Sequence, residues 1–161
     1  MNRIVNTAPL IFLSKLGRLE LLRQGVETVF VPSTVRFELR SVLDSATAEV
    51  ESLLGGWLIE RACTQLALLE VVRQSIDPGE AEVIALALEL GINDVVLDDL
   101  DARRFARRNG LQPIGTLGLL LSAKENGLIV SVRDEIDRLQ AFGFRASDVL
   151  IATVLASAGE P

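Results

Sequence analysis

The chain has no histidine, no tyrosine and one cysteine in 161 residues. Without histidine, no Ser-His-Asp triad, Cys-His pair or histidine-held zinc can be built. A lone thiol, Cys63, cannot close an internal disulfide, a usage that suits a reducing cytoplasm. No apolar run reaches the ~18 residues that a membrane span needs. The longest apolar-rich stretch, 81–92, is interrupted by Glu82 and Glu89. The N-terminus lacks the charged, apolar and cleavage regions of a signal peptide. These absences set the expectation of a cytoplasmic protein with no membrane partner. There is also no Pro-rich or Gly/Ser linker, no charge block and no repeat, so residues 1–161 are expected to form one domain.

With histidine and tyrosine gone, acid–base or metal chemistry falls mainly on carboxylates. Their hard oxygens suit Mg²⁺, Mn²⁺ or Ca²⁺. The net charge of −6 argues against a protein that coats nucleic acid through charge alone. It leaves room for a nuclease, because a bound divalent ion reverses the local field.

Strands and helices alternate along the chain. Residues 3–6 read as a strand, and Pro9 suits the first turn of a helix to about Lys15, with Thr7 as a possible cap. A short helix is expected over 19–24 and a strand over 28–31. Pro32 then opens a helix in which Val35, Leu39 and Val42-Leu43 recur at helical spacing. A helix over 46–54, an edge strand near 57–59 and a helix over 64–75 follow. "DPGEAEVIALALELG" is the clearest helix: Asp77 and Glu80 have the spacing of a capping box, and Gly91 ends it. Strands at 95–97 and 112–114 flank a helix from about Asp101 to Arg108. Helices are expected at 117–125, 131–140 and 147–157. The alternation predicts an α/β fold with a mostly parallel sheet and the strand C-termini along one edge.

That edge gathers oxygen donors. Asn6 ends the first strand, Asp98 and Asp99 follow the strand at 95–97, and Glu38 and Glu80 lie on helices that begin nearby. Asp101 and Glu82 are close in sequence. A few carboxylates holding a hydrated cation can polarise a phosphodiester and activate water. Crowded carboxylates repel, so some are expected to hold protons more tightly than usual. Each residue also has a plainer role. Glu80 can cap its helix, Glu38 can be solvated, Asp98, Asp99 or Asp101 can cap the next helix, and Asn6 can satisfy a turn. Only their joint placement points to a site.

"ARRFARRNG" puts Arg103, Arg104, Arg107 and Arg108 on one side of a helix. Arg103 and Arg104 are candidate phosphate contacts. Arg107 and Arg108 suit a solvated helix C-terminus. Cys63 and Trp57 read as core or partly buried residues, and the run "TLGLLLSAK" as a core helix.

The segments "IVNTAPLIFLSKLGRLELL", "VPSTVRFEL", "DPGEAEVIALALELG", "VVLDDLDARRFARRNGLQPIGTLGLLLSAKENGLI" and "FRASDVLI" run in order over nearly the whole chain. Through them the chain resembles the PIN-domain superfamily of magnesium-dependent ribonucleases, and in particular a small prokaryotic branch. The resemblance implies a three-layer α/β/α sandwich around a central, mostly parallel sheet. It implies an acidic Mg²⁺ or Mn²⁺ pocket at Asn6, Glu38, Glu80 and Asp98, with Asp99 as the near alternative to Asp98. Thr7 and Asp101 would support it. It implies an RNA substrate and, since many such proteins are toxins, a small cognate antitoxin and a homodimer. The departure is position 6, where the superfamily has aspartate and this chain has asparagine. That change keeps a carbonyl ligand and removes one charge. Two other readings compete: a PIN fold that binds without cutting, and a haloacid-dehalogenase-like phosphatase suggested by "DDLDA". The second fits poorly, because that motif normally ends the first strand.

Overall fold

The computed structural model describes residues 1–42 and 45–161. Among them, five strands form one sheet: β1 (Asn2–Val5), β2 (Thr28–Pro32), β3 (Leu58–Arg61), β4 (Asp94–Val96) and β5 (Gln112–Ile114). The order is β3-β2-β1-β4-β5 and every pairing is parallel. The expectation of a mostly parallel sheet therefore holds in full. Ile4, Val5, Val29, Val31, Val95 and Val96 are buried. Such apolar runs suit strands covered on both faces.

The helices are α1 (Thr7–Lys15), α2 (Ser33–Arg40), α3 (Ser45–Leu53), α4 (Leu66–Arg73), α5 (Pro78–Leu90), α6 (Leu100–Arg108), α7 (Thr116–Glu125), α8 (Val132–Ala141) and α9 (Asp148–Ser157). Leu19–Arg23 forms a short 3-10 helix. Helix α5 packs on β1, β2 and β4, with α4 and α6 beside it. Helix α1 packs against α2, α3 and α7, and α7 carries α8 and α9. The result is a PIN-like α/β/α sandwich. Gly91 ends α5 at φ 67°, a left-handed turn that glycine adopts without steric cost.

Three local expectations differ. Helix α2 stops at Arg40, short of Val42, and Leu43 lies outside the described residues. Thr7 does not cap α1; it is the first helical residue, and its hydroxyl is drawn to Glu38 instead. The capping box at Asp77 and Glu80 does not form: the Asp77 side chain makes no cap hydrogen bond, and Glu80 meets Asn6 across a cleft.

A buried ion pair fixes the other end of the central strands. Arg3 on β1 donates from Nε and one terminal nitrogen to the two oxygens of Asp94 on β4, both at 2.8 Å. Its other terminal nitrogen donates to the Leu22 carbonyl at 2.8 Å. The two residues are also cross-strand partners in the sheet register.

Candidate active site

Parallel strands send all their C-termini to one edge, and open α/β sheets bind ligands there. A cleft of about 420 Å³ opens at that edge, lined by Asn6, Thr7, Glu38, Asp77, Gly79 and Glu80 among others. Asn6 follows β1 directly, and its backbone N–H donates to the Val96 carbonyl of β4 at 3.1 Å. The end of the central strand is thereby pinned at the mouth of the cleft.

Two carboxylates enter from different helices. The Thr7 hydroxyl donates to Glu38 Oε2 at 2.5 Å. On its other side Glu38 is pressed close to the start of α5: a β-carbon on Gly79 would lie 2.6 Å from Glu38 Oε1. Glycine is therefore required for Glu38 to sit where it does. The next residue, Glu80, accepts a long hydrogen bond of 3.4 Å from Asn6 Nδ2. Burial pushes the Glu80 carboxyl above the usual range, and the charge of Asp99 adds to the shift.

The adjacent aspartates divide. Asp98 Oδ1 accepts from the Thr116 backbone N–H and Oδ2 from the Thr116 hydroxyl, both at 2.7 Å. Asp98 thus ties β4 to the start of α7. Burial raises its pKa, while these bonds and the charge of Arg103 oppose the shift. Asp99 caps α6, accepting from the Ala102 N–H at 2.8 Å, and its charge is felt by Glu80. The expectation placed Asp98 in the pocket with Asp99 as alternate. In the structure Asp98 faces Thr116 and lines a different cavity, while Asp99 caps α6 and its charge reaches Glu80; neither lines the acidic cleft itself.

The remaining candidates lie apart. Asp101 is exposed and faces Arg104 at 3.8 Å. Glu82 is buried away from the cleft, accepting from the Thr34 and Cys63 backbone N–H groups. Arg103 is half-buried, and its Nε is buried without a partner. Sequence reasoning missed Gly79 and Thr116. A glycine in the first turn of a strong helix costs about 1 kcal/mol against alanine, and that cost was the available signal.

The donor set suits a hard divalent cation. Asn6 Oδ1 is buried and has no hydrogen-bond partner, an uncompensated carbonyl oxygen at the mouth of an acidic cleft. A ligand that accepts its lone pairs would remove that penalty. Mg²⁺ is commonly held by one or two carboxylates, with water completing the shell. The described residues contain no preassembled group of three acidic or thiol ligands, so a cation here would rely on few protein oxygens.

Comparison with known proteins agrees with the fold. The family model described as "PIN domain" matches residues 2–160. The chain belongs to the PIN-domain family, whose fold is that of nucleases. No curated protein and no solved structure matches it. No helix among the described residues is long and apolar enough to cross a membrane.

Proposed function

We propose that the protein is a divalent-metal-dependent endoribonuclease and the toxin of a toxin–antitoxin pair, held in check by a small cognate protein. The observation that carries the nuclease reading is the unpartnered Asn6 Oδ1 beside Glu80 in the acidic cleft. The toxin role rests on the resemblance to the PIN superfamily, as does the expectation of a homodimer.

Asn6, Glu38, Glu80 and Asp99 are the proposed metal-holding residues. Mg²⁺ or Mn²⁺ bound there supplies Lewis-acid polarisation of the phosphate and lowers the pKa of water. Thr7 and Gly79 orient Glu38 from opposite sides. Asn6 fixes Glu80 through its amide. Glu80, with its raised proton affinity, is the carboxylate best suited to exchange a proton with the attacking water. Arg103 and Arg104, set apart from the cleft on α6, are the proposed contacts to RNA phosphates away from the bond to be cut. Asp98 serves the frame by holding Thr116.

A second reading, a PIN fold that binds RNA or protein without cutting, is favoured by the sparse ligand set. Calorimetric titration with Mg²⁺ and Mn²⁺, paired with cleavage of a structured RNA, separates the two. Wild type, Asn6→Asp and Glu80→Gln are compared. The nuclease reading expects wild type to bind and cut, Asn6→Asp to do both better, and Glu80→Gln to do neither. If only Asn6→Asp binds and cuts, position 6 has switched the site off and the binding reading takes over. If none binds metal, the acidic cleft is structural.

A further inference from the structure

A second cavity, of about 370 Å³, lies on the far side of Asp98 between α6, α7 and α9. Its apolar wall includes Leu117, Leu150 and Val154, and its polar rim includes Arg103, Arg145 and Ser147. Asp98 also lines it, but both Asp98 oxygens are already engaged by Thr116.

The cationic groups are not so engaged. Arg103 makes no hydrogen bond or ion pair among the described residues, and its Nε is buried. It sits early in α6, where the helix dipole disfavours a cation. Burial and the charge of Arg107 work against its positive form and outweigh the support from the charge of Asp98. A guanidinium held there with no hydrogen bond, and with the only nearby carboxylate, Asp98, already bonded to Thr116, has donors left for an anion. Gly115 leaves room for both groups, since a β-carbon at that position would lie 3.0 Å from Asp98 Oδ1 and 3.4 Å from an Arg103 terminal nitrogen. Arg145 is exposed at the rim. Ser147 caps α9, accepting from the Leu150 N–H at 3.1 Å, so the first N–H groups of a ten-residue helix open at the same place. Asp148 in that turn opposes an anion but is exposed to water.

We propose that this cavity is a nucleotide subsite, taking a base against its apolar wall and a phosphate between Arg103, Arg145 and the first turn of α9. The assignment deepens the nuclease reading and rests on it for its role, because Asp98 and Gly115 in this cavity and Asn6 in the acidic cleft all follow strand C-termini at the same sheet edge. It holds one nucleotide away from the bond to be cut. Cavities of roughly 300 Å³ and above are of the size that binds small ligands.

The test is an NMR titration of the full chain with AMP, adenosine and inorganic phosphate. The backbone amides of residues 115–118 and 145–150 are the readout. AMP should shift these amides and bind about tenfold more tightly than adenosine or phosphate alone, since both halves contribute. Arg145→Gln should weaken AMP about tenfold and leave adenosine unchanged. Leu150→Glu should abolish binding of both. Each substitution is at an exposed position, so the fold is retained. AMP binding elsewhere, no binding, or binding indifferent to both substitutions overturns the subsite, whether or not RNA is cut. If wild type cuts no RNA but AMP binds with this pattern, the subsite stands and the nuclease reading falls. If Leu150→Glu dissociates a dimer in sedimentation while AMP binding persists, the face is a protein interface and the proposal is overturned.

Discussion

Glu38 Oε1 occupies space that a side chain on Gly79 would need, the two being 2.6 Å apart once a β-carbon is built. The first turn of α5 therefore sets the position of a carboxylate carried by α2. Gly79→Ala separates stability from function at this contact. Alanine is the better helix former by about 1 kcal/mol, and the backbone of Gly79 is not left-handed. The atom it displaces is the end of a flexible side chain. We expect stability to change by less than about 1 kcal/mol, while cleavage falls about 10²-fold through misplacement of Glu38. Urea denaturation and single-turnover cleavage measure the two. Unchanged cleavage would remove Glu38 from the mechanism.

The division of labour between Asp98 and Asp99 is equally open to test. Asp98→Ala strands the Thr116 hydroxyl, which is fully buried, and the Thr116 N–H. Leaving such groups unpaired costs about 1–3 kcal/mol each. Asp99→Asn keeps an oxygen to cap α6 and removes a charge that Glu80 feels. Its expected signature is weakened Mg²⁺ binding, measured by calorimetry, with thermal stability nearly intact. Should Asp98→Ala abolish metal binding at unchanged stability, the two roles are the reverse of those proposed.

Much of this was legible in the sequence. The β-branched runs of β1, β2 and β4 and the Pro-led starts of α2 and α5 gave the order of elements and the edge where the donors meet. What was not legible depended on contacts between distant residues. That Asp98 is turned to the start of α7 depends on Thr116, 18 residues further on. The Asp77–Glu80 spacing matches a capping box, yet Asn6, 74 positions away, draws Glu80 elsewhere. Local pattern identifies which groups are near an edge; side-chain direction is set by packing.

Arg3 and Asp94 anchor the opposite end of the same two strands. Asp94→Ala leaves the Arg3 guanidinium buried with only the Leu22 carbonyl to neutralise it in part. Breaking a buried pair from one side is costly, and a loss of about 3 kcal/mol is expected. The midpoint of urea denaturation should fall accordingly, with metal binding at the distant cleft retained in the folded fraction. A loss under about 0.5 kcal/mol, typical of surface substitutions, would show that the pair is solvated.

Glu80 should make stability depend on pH and on metal together. Its folded pKa lies above the unfolded value of about 4.3, chiefly through burial and then through Asp99. For a group raised in this sense, stability is fully present below the unfolded value and is lost as pH climbs through the folded one. Glu80→Gln removes that loss, because glutamine never ionises. The variant should therefore melt at a higher temperature than wild type at pH 7, and the two should converge near about pH 3.5, where Glu80 is protonated in both states. Divalent ions should act in the opposite direction. Saturating Mg²⁺ at pH 7 should raise the wild-type melting temperature by linkage and leave the variant unmoved. Circular dichroism melts at the two pH values, with and without Mg²⁺, give all the comparisons. An equal advantage of the variant at both pH values would mean that ionisation of Glu80 is not the source of the strain. An equal response of both proteins to Mg²⁺ would mean that the ion binds without Glu80.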